Sequence, residues 1–290
     1  MNGILVLDKP AGVTSFQAVR AVSRYFNKEK AGHAGTLDPM ATGVLPVFLG
    51  RATKLISLLP QTDKEYVANL RFGAQTDTGD REGEIIEKTN VLPSEPAWNK
   101  ALEGFLGQQE QIPPMYSAVS QNGVRLYQLA REGKTVERKP RSIYIRELQT
   151  LQFSPEEAQI RVVCSAGTYV RTLAEDLAKA CGSLAYLTEL RRTAACGFSV
   201  QESVTLAQLE QAESPEDHCI DGELPFRTCP LIQITEKERK QFLNGVRFSM
   251  PAAADERTGS GLFRIYHNEQ WLGLGREVNG QLVKEWQAFI

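Results

Sequence analysis

Apolar positions along the chain switch between two periods, and the switches delimit a mixed set of elements. GILVLDKP (3–10) is a short apolar run closed by proline, which predicts a strand leading into a turn. In SFQAVRAVSRYFN, Phe16, Val19, Val22 and Phe26 recur at helical spacing behind Ser15, which predicts a helix with Ser15 as its N-cap. VLPVFLG then reads as a strand, and RATKLISLLP as a short helix stopped by Pro60. KEYVANLRFG (64–73) has β-formers near a period of two and is followed by the turn-rich TDTGDREG and by EIIEK, so a hairpin is expected. Ser94 caps a predicted helix that carries Trp98, Leu102 and Phe105 on one side. The two prolines of IPPMYSA exclude regular structure, whereas VRLYQLAREG is helical with Gly133 at its stop. RSIYIRELQTLQF and AQIRVVCSAGTYV are strand candidates. TLAEDLAKACG opens on a capping-box pattern, Thr172 to Glu175, and closes on Gly182. Strands and helices mix without a steady βαβ alternation, so an α+β fold with a mixed sheet is expected.

Length and charge divide this pattern. The chain has 290 residues, enough for one large and one small domain, and its 42% hydrophobic content supplies a core. Residues 201–230 are acidic, with a net charge of −6, and read as a connector. Beyond them GLFRIYH, WLGLGRE and QLVKEWQAF are strand-like runs between Gly, Asn and Asp, which suggests a small β-rich unit over 231–290. Residues 111–150 carry +4, concentrated in REGKTVERKPR (131–141). Such a block is a solvated surface or a phosphate-contacting patch. No run approaches about 18 consecutive apolar residues, so no membrane span is expected. MNGILVLDKP reads as a first strand and not as a signal peptide. Five scattered cysteines and three scattered histidines give neither a zinc motif nor a disulfide framework, which points to a reduced, cytoplasmic protein.

Candidate chemistry is sparse. GLGREVNG (273–280) lacks the third glycine of a dinucleotide fingerprint and lies between strands. The carboxylates of TDTGDREGE (Asp77, Asp80, Glu82, Glu84) suit a solvated turn better than a cation site or a glycosidase pair. AGHAGTLDPMATGVLPV (31–47) is more specific: three glycines and two prolines prescribe an irregular backbone around one acid, Asp38, with no cation near it in sequence. GTYVRTL (167–173) supplies a distant partner, Arg171, which would keep the acid ionised and aimed; Tyr169 and Arg171 share a face if that stretch is extended. An ionised, oriented carboxylate is a nucleophile for an electrophilic carbon.

Six stretches in order, LDKPAGVTS, AGHAGTLDPMATGVLPV, KEY, QIPPMYSAV, SAGTYVRTLAEDL and YLTELRRT, closely resemble the TruB family of pseudouridine synthases over residues 1 to about 200. The resemblance implies a catalytic domain over 1–230 with a central mixed, largely antiparallel sheet, an RNA-binding insertion around 124–141, and a PUA-like RNA-binding domain over 231–290. It implies isomerisation of uridine 55 in the T arm of tRNA to pseudouridine. In that reading Asp38 is the nucleophile, Arg171 its ionic partner, and Tyr66 the residue against the target base. Tyr169 and Leu190 line the uracil pocket, His33 contacts the RNA, and Lys9 belongs to the substrate-binding set mainly by supporting the motif loop. Arg171 would support Asp38 in a bidentate manner. No cofactor, no metal and no obligatory protein partner are implied, and a monomer is expected. Two other readings stay open: a guide-RNA-dependent synthase subunit, and a non-catalytic module that folds tRNA by binding its elbow.

Overall fold

A computed structural model of the chain describes residues 2–121, 123–251 and 261–288. Its first half is organised by β1 (Gly3–Lys9), α1 (Ser15–Tyr25), β2 (Ala31–His33), β3 (Thr42–Leu49), a 3₁₀ helix (Gly50–Leu58), β4 (Lys64–Phe72), β5 (Ala74–Thr76), β6 (Ile85–Lys88), α2 (Glu95–Gly104) and β7 (Gly107–Gln111). A small hairpin, β8 (Ser120–Gln121) and β9 (Val124–Arg125), leads into α3 (Leu126–Arg131). There follow β10 (Arg141–Phe153), β11 (Glu157–Cys164), α4 (Val170–Ala180), β12 (Ala185–Ala195), β13 (Phe198–Ser199) and α5 (Leu206–Gln211). The fold is α+β. The main sheet has the order β1-β3-β12-β4-β11-β10-β7, with β2 on β3 and β13 on β12. Every pairing in it is antiparallel except β12 with β3.

That one parallel pairing brings the segment before β3 beside β12. It also needs a glycine. Gly43 pairs with Arg192, has φ +100°, and a Cβ there would stand 2.1 Å from the Arg192 carbonyl oxygen. One face of the sheet is covered by α1, α2 and α4. Trp98 of α2 is fully buried and stacks on Phe153, with Phe72 edge-on.

A second sheet, β14-β16-β17-β18-β15, consists of Leu231–Gln233, Leu262–His267, Gln270–Val278, Gln281–Gln287 and Phe248–Ser249, with α6 (Glu236–Leu243) inserted after β14. Residues 252–260 and 289–290 of the expected 231–290 unit lie outside the described residues. The acidic segment 201–230 runs along the free edge of β1: Val204 and Ile220 exchange main-chain hydrogen bonds with Val6, Asp8 and Ile4. The two sheets share an apolar cluster in which Ile4, Val44 and Phe48 meet Phe226, Leu274 and Trp286. The second sheet therefore packs on the back of the first and does not hang from a free linker.

Three local expectations change. EIIEK pairs with the short β5 and not with β4, because Gly73 at φ +88° turns the chain between them. The N-cap of α1 is Thr14, and Phe16 stands 66% exposed while Ala18, Val19 and Val22 are buried. The helix α4 starts at Val170, two residues before the expected capping box, so Tyr169 is its N-cap and Arg171 lies in its first turn. Tyr169 and Arg171 are not on one face of a strand.

Candidate active site

The loop between β2 and β3 is tied down on three sides. From beneath, Lys9 at the end of β1 is fully buried, and its ammonium donates to the carbonyls of Pro10, Val13 and Pro39 at 2.9, 2.7 and 3.2 Å. From the first turn of α1, the Ser15 hydroxyl donates to the Leu37 carbonyl at 2.9 Å and accepts from the Leu37 N–H at 2.8 Å. From β12, fully buried Arg192 donates through Nε to the Val44 carbonyl and through a terminal nitrogen to the Gly35 carbonyl, each at 2.8 Å. Leu37, Met40 and Ala41 are sunk in the core. Anchored residues thus bracket Asp38 on both sides, and its backbone has little freedom.

Strand alternation decides what β12 does here. Consecutive residues point to opposite faces, so Arg191 turns to Asp8 and makes a two-pronged ion pair at 2.7 and 3.0 Å, while Arg192 turns to the loop. Tyr66 on β4 is the register partner of Arg192, and Leu190 lies two residues along β12 from it. At the head of α4, the side chain of Gln111 accepts from the Tyr169 N–H at 2.8 Å and donates to its carbonyl at 3.0 Å, which fixes the helix start.

Arg171 then enters from α4. Its Nε lies 3.0 Å from Asp38 Oδ2. Its two terminal nitrogens donate to the carbonyls of Thr78, at 2.8 Å, and Tyr116, at 2.7 Å. One of them also faces Asp80 Oδ2 at 3.6 Å. Support of Asp38 is therefore through a single nitrogen and not bidentate; the rest of the fork is used to hold two loops and a second carboxylate. The Arg171 side chain is 5% exposed and that of Asp38 35%, so the cation is enclosed and the acid is reachable.

Asp38, Tyr66, Tyr169, Arg171 and Leu190 line one pocket of about 250 Å³. It opens beside a larger cleft of about 780 Å³ that Asp38 also lines, whose walls include Phe16, His33, Arg125, Tyr127 and Arg131. His33 thus stands at the outer cleft and not in the inner pocket. Lys9 lines neither, and lies under the loop.

Burial pushes the Asp38 carboxyl above the ordinary carboxylate range; the Arg171 guanidinium pulls against it, and the Asp80 charge adds to the rise. Burial likewise raises the Tyr66 phenol, with Arg192 opposing, so Tyr66 stays protonated at neutral pH. His33 is lowered by burial and by Arg192, which favours neutral imidazole. Lys9 is brought down to about 8 by burial, against the attraction of Asp38. Among the described residues no group of three or more His, Cys, Asp or Glu side chains is placed to hold a metal. The arrangement presents one oriented carboxylate oxygen to a small ligand held between two tyrosines and a leucine.

Sequence reasoning missed Asp80, Arg192, Gln111 and Ser15. Asp80 belongs to the acidic stretch expected to be a solvated turn, yet it is 4% exposed. The Thr78 hydroxyl and the Glu82 N–H donate to it, and Arg81 N–H and Gly79 O bond to Leu187 on β12. The signal was its threonine and glycine neighbours, which serve an exposed turn and a buried one equally.

Comparison with known proteins gives one consistent result. Residues 23–170 match the profile described as TruB family pseudouridylate synthase (N terminal domain), and 171–230 match tRNA pseudouridylate synthase B C-terminal domain. The chain is 44% identical over 285 residues to the tRNA pseudouridine synthase B of Aromatoleum aromaticum, covering 97% of this chain and 91% of the relative. It is 42% identical over 289 residues to that of Francisella tularensis subsp. novicida, covering 98% and 94%. Among solved structures, a Cbf5–Nop10–Gar1 complex contains a chain that superposes with a TM-score of 0.76 at 26% identity, covering 99% of this chain and 85% of that one.

Proposed function

The chain belongs to the TruB family of pseudouridylate synthases, and from that premise we propose that it converts uridine 55 in the T arm of tRNA to pseudouridine, with Asp38 as the nucleophile. The observation that carries the reading is the Asp38 carboxylate held by Arg171 at an inner pocket small enough for one nucleobase. A stacked uridine cannot reach that oxygen, so the nucleotide is extruded, and unstacking costs a few kcal/mol. Tyr66, Tyr169 and Leu190 take the place of the lost neighbours by packing on the ring.

In the reaction the N1–C1′ bond breaks, the uracil turns within the pocket, and C5 bonds to C1′. The C5 proton leaves and N1 gains one. Three routes use the carboxylate: attack at ribose C1′, attack at uracil C6, and elimination to a glycal. Each needs it ionised and against the glycosidic bond, which is the service of Arg171. His33, Arg125 and Arg131 contact the RNA around the cleft, the latter two from the 124–141 insertion. The β14–β18 sheet acts as a PUA-like RNA-binding unit. No helix is long and apolar enough to cross a membrane among the described residues, which suits an enzyme working on tRNA in the cytoplasm.

The test uses purified chain and a bare T-arm stem-loop carrying tritium at uracil C5. Stoichiometric tritium release is expected from the target uridine alone; no release under conditions where the RNA binds refutes the reading. The likeness to a Cbf5 chain solved with partner proteins favours a second reading, a subunit that needs partners and a guide RNA. Turnover of the bare stem-loop excludes it.

A further inference from the structure

Phe16 is a large apolar side chain that the fold leaves in water. Its exposure of 66% is the highest among the exposed large hydrophobic residues that the structure describes, although its helix buries Ala18, Val19 and Val22. Isolated exposed apolar residues are ordinary. The position of this one is not. Phe16 lines the larger cleft, the same cleft that Asp38 lines, and it stands beside Ser15, whose hydroxyl makes both hydrogen bonds to Leu37. Leu37 precedes Asp38. Two hydrogen bonds between the immediate neighbours of Phe16 and Asp38 hold the ring and the carboxylate in one frame. The capping box of Thr14 with Gln17 stiffens that turn from the other side. The Arg20 guanidinium lies over the ring, 5.9 Å from its centre, and at 66% exposure much of the side chain stays uncovered. In the same cleft Arg131 sits over Tyr127 at 5.5 Å and Arg125 also lines the wall, so cations suited to a nucleic-acid backbone share the space.

We propose that Phe16 is a stacking platform for an unpaired base flanking the nucleotide that enters the Asp38 pocket. The inference rests on the proposed function, since it identifies the occupant of the cleft as RNA. Extruding one nucleotide strips a neighbouring base of its stacking partner, and an aromatic face locked at a fixed offset from the reacting carboxylate replaces that partner. Every base has a π-face, so the contact sets register along the strand without reading sequence. Phe16 touches no reacting atom. It is a positioning residue.

The test compares wild type, Phe16→Ala and Phe16→Trp on the T-arm stem-loop. Phe16→Ala is expected to raise Kd and KM about tenfold with kcat within twofold, and to leave the melting temperature unchanged. Phe16→Trp keeps wild-type affinity, and its added indole emission is quenched on RNA binding. In a stem-loop with an abasic residue on the stacked side of the target, wild type and Phe16→Ala bind alike. A Kd for Phe16→Ala within twofold of wild type overturns the inference, as does an indole at position 16 that RNA does not quench. Wild-type enzyme that binds the stem-loop but releases no tritium refutes the function itself, a result separate from either.

Discussion

Arg171→Lys tests how the site is held together. The guanidinium places three nitrogens against separate partners: Nε on Asp38, one terminal nitrogen on the Thr78 carbonyl and toward Asp80, the other on the Tyr116 carbonyl. A lysine keeps the charge but offers its three protons from one point, so at least two partners lose their donor. The contact to Asp38 is charge-assisted, a class worth about 1.5–3 kcal/mol, and its loss lowers kcat by roughly 10- to 150-fold. The two orphaned carbonyls lower unfolding free energy by about 2–6 kcal/mol, taking 1–3 kcal/mol for each unsatisfied buried group. RNA affinity changes little, because the Arg171 side chain is 5% exposed and offers RNA almost no surface. Single-turnover tritium release at saturating stem-loop gives the rate, filter binding the Kd, and urea unfolding the stability. A kcat within twofold of wild type would refute the reasoning, since the ammonium would then be an adequate substitute for the divided fork.

Three further outcomes follow from the same geometry. Asp38→Asn abolishes tritium release while stem-loop binding stays within about tenfold, because the amide keeps the shape and removes the nucleophile; turnover comparable to wild type would remove the carboxylate from the mechanism. Only ionised Asp38 is nucleophilic, and its folded-state pKa is raised by burial. Activity therefore falls with decreasing pH through a midpoint above the ordinary 3.8, and the midpoint is higher still in Arg171→Lys, where the opposing cation is displaced. A pH–rate profile whose acid limb lies at or below 3.8 contradicts this. Lys9→Met strips the Pro10 and Val13 carbonyls of their buried donor, while Pro39 keeps the Gly12 N–H, and lowers stability by about 2–6 kcal/mol in urea unfolding; an unchanged midpoint would show that the loop does not depend on Lys9.

The linear pattern of residues already defined most elements and the chemistry of the loop. Period-two and period-3.6 spacing is a local property, and β1, β4, β10, α2 and the Gly182 stop of α4 follow it closely, whereas the AQIRVVCSAGTYV run stays extended only to Cys164, the end of β11. The glycines and prolines around Asp38 announced an irregular backbone, and the absence of a nearby cation announced a distant one. Pairing was beyond reach, because it depends on which surfaces meet. Asp80 became a buried partner of Arg171 only when its turn docked on β12, and the same residues would have served a solvated hairpin. Arg191 and Arg192 are indistinguishable in TELRRT until the sheet assigns one to Asp8 and the other to the loop. The start of α4 moved back to Val170 because Gln111, 58 residues earlier, satisfies the Tyr169 main chain in place of a local cap. Phe16 has the spacing of a core residue yet faces the cleft, and the second sheet lies on the first because Trp286 and Leu274 find Phe48 and Val44 there. Local sequence encodes what each segment can bury or bond; which partner satisfies it is chosen when distant segments compete for the same enclosed space.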